Sequence, residues 1–238
     1  MFTRFKAFLR YAINRLLSCS GLNLYNVTLS DAYRFVWFRV PKAGTNTIFN
    51  ILENHAAHTI RPSKTIFRSR RYKDYFKFAF VRNPWDRAVS CYLDKVKRKR
   101  MDFYRKCYDK DFEYFINFIK RKDLRFCDRH IKLQCLIFPM KGVDFIGRFE
   151  NFEEDLKFVL NKLGINISEV PRLNAGKKGE NYISYYNDET KRIIEEKYKK
   201  DIELSVTNSG NRQHGSVKKL CMRRHKAPFY PCTRRSRP

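Results

Sequence analysis

The sequence predicts an α/β fold: a P-loop-like parallel sheet flanked by helices, in a single domain with a basic C-terminal tail. Three observations predict it. Two aromatic-rich strand patterns each run into a short loop and then a helical pattern. A third strand pattern precedes a strongly amphipathic helix. The 238 residues, 43% hydrophobic and 16% aromatic, suffice for one full core.

The first strand is read over residues 33–40 (YRFVWFRV), the loop over 41–44 and the helix over 45–55, where Ile48, Ile51 and Leu52 share a face. The second strand spans 75–81. Pro84 then opens a helix running to Lys97, because a proline at the first helical position loses no hydrogen bond. Helices follow at 111–121 and, briefly, 129–138. A third strand covers 143–147. The helix over 151–163 has Asn151 as its cap, acids in its first turn, an apolar stripe from Phe152 to Leu163, and Gly164 as its stop. Residues 165–180 read as loop, and 188–204 as one helix capped by Asp188. Strands alternating with helices imply parallel pairing, with ligands at the carboxyl ends of the strands.

Residues 1–30 read as an amphipathic helix and linker, 31–204 as the folded domain and 205–238 as a basic, disordered tail. Arg4, Lys6, Arg10 and Arg15 break the apolar runs of the N-terminus, so it reads as a helix lying on a surface, with peripheral membrane contact as one use, rather than as a span. Residues 209–238 hold nine Lys or Arg and no Asp or Glu. The whole chain carries a net charge of +27, which suits anionic partners without choosing among them. The seven cysteines are scattered, with no C-x-x-C pair, and fit a reducing compartment. Cys127, His130 and Cys135 have donor atoms, but no second pair completes a four-ligand site, so no metal is assigned.

Two constellations carry chemistry. The first is Val40-Pro41-Lys42-Ala43-Gly44-Thr45-Asn46-Thr47, between a strand and a helix. Backbone N–H groups at a helix start bind anions. Gly44 admits close approach, Thr45 and Thr47 offer hydroxyls, and Lys42 adds a charge. The loop is not a nucleoside-triphosphate P-loop, because its lysine comes before the glycine rather than after it. The second constellation runs from Arg82 to Ser90 (RNPWDRAVS), again between strand and helix. Arg82 and Ser90 suit a second, separate phosphate. Arg87 reads either as a ligand or as a structural partner of Asp86 or Asp94.

Together P-K-A-G-T-N-T and R-N-P-W-D-R-A-V-S-C-Y resemble the two donor-binding motifs of sulfotransferases that use 3′-phosphoadenosine 5′-phosphosulfate (PAPS). The likeness is to the carbohydrate sulfotransferase branch and covers residues 34–204. It implies that Lys42, Ala43, Gly44, Thr45, Asn46 and Thr47 hold the 5′-phosphosulfate, and that Arg82 and Ser90 hold the 3′-phosphate. Three further stretches are similar. Residues 129–134 resemble an H-W-x-P-Q segment, with Ile131 and Leu133 in place of its Trp and Pro. Residues 143–155 resemble a strand–helix element, and 186–204 the final helix, though an aromatic close is missing after Leu204.

The resemblance implies PAPS as co-substrate, no metal, and a hydroxyl acceptor on a glycan; the basic residues outside the donor site suit an acidic glycan. No specific nucleic acid is expected; eukaryotic members of that family are Golgi membrane proteins with a spanning helix, which is not read in this sequence, so a cytoplasmic, bacterial-type enzyme is expected, with a peripheral membrane location as the alternative. Lys42 is the candidate for charge on the leaving oxygen. Glu53, His55, His58 and His130 are the candidate bases, and the sequence does not choose among them. Lys177 and Lys178, in the 174–181 loop, are candidates to fold over the nucleotide. The alternative function is a non-catalytic basic protein that binds acidic glycan or nucleic acid.

Overall fold

A computed structural model describes residues 24–56, 59–167 and 181–207. In chain order these form β1 (Leu24–Ser30), β2 (Phe35–Phe38), α1 (Thr45–Ala56), β3 (Ile60–Ile66), β4 (Phe76–Val81), α2 (Pro84–Cys91), α3 (Phe112–Lys120), β5 (Phe145–Arg148), α4 (Phe152–Lys162), α5 (Asp188–Lys197) and α6 (Lys199–Thr207). Short 3₁₀ turns link several of them, and a π-helical turn, Tyr92–Lys97, prolongs α2.

The five strands make one sheet in the order β3-β1-β2-β4-β5. It is mixed, which corrects the expectation of an all-parallel sheet. β2, β4 and β5 pair in parallel, while β1 runs antiparallel to both β2 and β3. The sequence reading missed β1 and β3. β1 falls in residues 24–30, which had been read as linker. It carries Thr28 and Ser30 at buried positions, so its pattern does not look like a core strand. β3 contains Pro62, which the ladder tolerates because β3 is an edge strand.

Other boundaries move as well. No helix spans 129–138: turns lead to a 3₁₀ segment, Gln134–Leu136. The last helix is two, α5 and α6, which meet at Tyr198. The cap of α5 is Asn187, in a reciprocal capping box with Thr190, rather than Asp188. Asn151 makes no side-chain cap at α4. Residues 205–207, read as tail, continue α6. The N-terminal amphipathic stretch and residues 208–238 lie outside the described residues.

Two apolar clusters hold the domain together. One joins Trp37, Phe38, Phe78 and Phe80 of the sheet to Ile48, Ile51 and Leu52 of α1 and to Leu156, Val159 and Leu160 of α4. Trp37 and Phe78 stack across the parallel β2–β4 pair, 6.2 Å apart. The other joins Val89 and Tyr92 to Phe115, Ile116 and Ile119 of α3 and to Ile193 and Ile194 of α5. Among the described residues no helix is long and apolar enough to cross a membrane.

Leu156 is fully buried on the inner face of α4. Leu156→Ala is expected to lower the unfolding free energy by about 2–5 kcal/mol in urea titration. Lys157→Ala, one residue further and exposed, should change it by less than about 1 kcal/mol.

Candidate active site

β2 and β4 are parallel neighbours, with Phe38 opposite Ala79. Their carboxyl ends therefore lie side by side, and so do the loops that leave them. The 41–44 loop feeds α1 and residues 82–83 feed α2, which brings the two predicted constellations to one edge of the sheet.

The first loop is sharply shaped. Gly44 has φ +77°, and a methyl group there would overlap the ring of Phe152. Lys42 also has a left-handed φ of +71°, which costs a non-glycine residue about 1 kcal/mol and needs outside support. Two contacts supply it. The Arg82 guanidinium donates to the Lys42 carbonyl at 3.0 Å, and Lys42 Nζ pairs with Asp94 at 2.9 Å. The Thr45 hydroxyl donates to the Val40 carbonyl at 2.7 Å and so closes the loop rather than facing outward. Ala43 and Thr47 are buried, and Asn46 is exposed.

The second loop is built differently. Asn83 Oδ1 accepts from the N–H groups of Trp85 and Asp86, and the Asn83 N–H donates to Glu150. The amino end of α2 is thus already capped, and any anion there must be held by side chains. Arg82 makes a two-pronged pair with Asp86 (2.8 and 2.7 Å) and lies over the Phe149 ring at 4.1 Å. Ser90 follows Asp86 by four residues on α2, which puts the two positions on one helix face. Asp94 follows four residues later, so Asp86, Ser90 and Asp94 form a row. Its first member holds Arg82, and its last holds Lys42.

Arg87 settles its own ambiguity. It is almost wholly buried and pairs with neither Asp86 nor Asp94. Its guanidinium donates to the carbonyls of Pro41 (3.3 Å), Lys132 (2.9 Å) and Arg129 (2.9 Å). Arg129 in turn donates to the Arg39 carbonyl at 2.7 Å. One buried arginine therefore fastens the 129–132 turn to the lysine loop. Gln134 completes the frame: its side-chain amide pairs with both backbone groups of Arg82, at 3.0 and 2.7 Å. Asp201 of α6 accepts the N–H groups of Gln134 and Cys135, which explains why the Q segment and the D-I-E-L segment belong together.

Charge is tightly balanced. Burial lowers the Lys42 pKa, and Asp94 partly restores it. Burial would raise Asp94, but Lys42 and Lys95 outweigh it and hold the carboxyl well below the usual range. Burial also lowers His130, against the pull of Asp128.

The candidate bases separate. His130 sits in the turn that Arg87 and Arg129 tie to the lysine loop. Glu53 and His55 lie exposed in the last turns of α1, about 12 and 15 Å along the helix from Thr45. His58, Lys177 and Lys178 are outside the described residues. Sequence reasoning missed the roles of Asp128, Glu150 and Phe149. The four-residue spacing of Asp86, Ser90 and Asp94 was the one signal available for that row.

Residues 25–204 match the profile of the sulfotransferase family. The chain belongs to the sulfotransferase family. An uncharacterized protein of Archaeoglobus fulgidus is 32% identical over 114 residues, 44% of this chain and 80% of its own length. Carbohydrate sulfotransferase 14 of Danio rerio is 26% identical over 179 residues, covering 59% of this chain and 49% of the relative. Carbohydrate sulfotransferase 10 of Xenopus laevis is 24% identical over 239 residues, covering 76% and 67%. The chain thus spans about half the length of the zebrafish relative. No solved structure matches it significantly. The two strand-end loops lie inside the matched region.

Arg87→Leu would leave three carbonyls without their donor. Expected outcomes are a lower melting temperature and faster proteolysis between residues 127 and 135, read by mass spectrometry of the fragments.

Proposed function

We propose that this chain transfers a sulfuryl group from PAPS to a hydroxyl of a carbohydrate. The observation that carries the reading is the contact of Arg82 with the Lys42 carbonyl, which locks two anion-binding loops edge to edge. A donor with two separated anionic groups needs two such loops at a fixed spacing.

The residues fit that donor. The left-handed Gly44, whose Cβ position is filled by the Phe152 ring, sets the tight turn that leads into α1. The first turn of α1 offers N–H groups that have no acceptor within the helix. Lys42 and residues 43–47 would hold the 5′-phosphosulfate end, and Arg82 with Ser90 the 3′-phosphate. The donor supplies an activated sulfuryl group. Lys42 stabilises the charge that develops on the departing phosphate oxygen. To do so it must exchange its Asp94 partner, at least in part, for that oxygen. Arg82 likewise shares its guanidinium between Asp86 and the anion. The pairs seen here keep two half-buried cations compensated until the donor arrives.

A net charge of +27 favours an acidic acceptor such as a uronic-acid glycan. The relatives named as carbohydrate sulfotransferases support a sugar hydroxyl.

Calorimetry with 3′-phosphoadenosine 5′-phosphate (PAP) tests the reading. Wild type should bind PAP, and ATP should not match it. Arg82→Ala and Lys42→Ala should each weaken binding by about tenfold to a hundredfold, the worth of one or two charge-assisted hydrogen bonds. Asp94→Asn, which removes the competitor for Lys42, should bind at least as tightly as wild type. A folded wild type that does not bind PAP would overturn the proposal and favour a basic binding protein.

A further inference from the structure

Resting on the sulfotransferase reading, we propose that His130 is the base that takes the acceptor's proton and that Asp128 positions it. The ring is held through one nitrogen. Nδ1 lies 2.8 Å from Asp128 Oδ1, and the His130 backbone N–H donates to the same oxygen at 3.0 Å. The Tyr104 hydroxyl donates there too, at 2.7 Å. Three donors on one oxygen pin Asp128 as an ionised acceptor, so the proton on the imidazole resides on Nδ1. Nε2 has no hydrogen-bond partner among the described residues and is not sealed from solvent. A neutral imidazole with a lone pair open to solvent and its other nitrogen braced by a carboxylate is the arrangement of a general base.

Position supports the assignment. The turn carrying His130 is bonded to the chain that leads into Lys42: Arg129 donates to the Arg39 carbonyl, and Arg87 bridges the Arg129 and Pro41 carbonyls. Lys95, which pairs with the Asp94 that holds Lys42, also acts on His130 through its charge. Among the described residues no comparable link joins Glu53 or His55 to the lysine loop.

In the step, Nε2 accepts the hydroxyl proton while the acceptor oxygen bonds to sulfur. The bond from sulfur to the 5′-phosphate oxygen breaks, and its electron pair leaves on that oxygen beside Lys42. The products are a sulfate ester, PAP and an imidazolium that returns its proton to water. Asp128 offsets the imidazolium charge.

The charged groups around the ring are Asp128, Lys95 and Arg129, with Tyr104 acting through Asp128. Burial lowers the His130 pKa below the usual 6.5, and Asp128 raises it in part. The neutral form is the active one, so rate falls as pH drops through that lowered value.

Two measurements on the full chain test this. The first is the ¹⁵N spectrum of the imidazoles with pH. It should show His130 protonated on Nδ1 near pH 7 and titrating below 6.5, and titrating lower still in Asp128→Asn. The second is single-turnover release of sulfate from PAPS, with water as acceptor, alongside PAP binding. His130→Gln should bind PAP as wild type does, release sulfate about 10²–10⁴-fold more slowly, and lose the acidic limb of the pH profile. Asp128→Asn should lose less rate and keep a limb shifted to lower pH. A proton on Nε2, wild-type rates in His130→Gln, or losses confined to Glu53→Gln or His55→Gln would overturn the assignment while PAP binding kept the function standing. A wild type that does not bind PAP would remove both.

Discussion

The site depends on one buried guanidinium. Among the described residues Arg87 makes no direct ion pair; three carbonyls from two chain segments far apart in sequence accept its N–H groups, and the buried Asp201 acts on it through charge alone. Carbonyl partners fix distance and direction without neutralising charge. The same side chain decides which turn stands next to Lys42, and so which titratable groups can share in chemistry there. Were Arg87 paired with Asp86, as its spacing allows, Arg82 would lose its carboxylate and the 129–132 turn its tether.

Around that arginine the cations on the open side of the site are each held by an acid. Lys42 and Arg82, the two side chains most suited to a donor with two anionic ends, are paired to Asp94 and Asp86 on one face of α2 and its extension. The pairs are half-buried, where an uncompensated charge would cost several kcal/mol. They also frame the loop: the left-handed Lys42 is held through its carbonyl by Arg82, while its ammonium pairs with Asp94. Ligand affinity is thus a difference between two sets of ionic contacts, not a sum of new ones.

Much of this could be read in the sequence, for physical reasons. β2, β4 and α4 bury continuous apolar runs or stripes, and their periods show plainly. The two loops were legible as strand-to-helix turns because Gly44 after one strand pattern and Asn83-Pro84 after the other mark where a helix begins. What stayed hidden depends on distant partners. β1 buries Thr28 and Ser30 between two antiparallel neighbours, and β3 is an edge strand with a proline, so neither has a core period. The split between α5 and α6 falls at Tyr198, whose hydroxyl is drawn to the Ile131 carbonyl across 67 residues. The choice of His130 over Glu53 and His55 was equally illegible, because it needs Tyr104, Arg87 and Arg129 folded against one turn.

The central claim is that the loops after β2 and β4 form one anion site locked together by arginines. Hydrogen exchange with and without bound PAP tests it most directly. The account predicts slowed exchange in residues 41–48 and 82–91 together, with smaller protection in 128–134 and none in β3. Protection confined to the basic residues 209–238, or in one loop without the other, would contradict it.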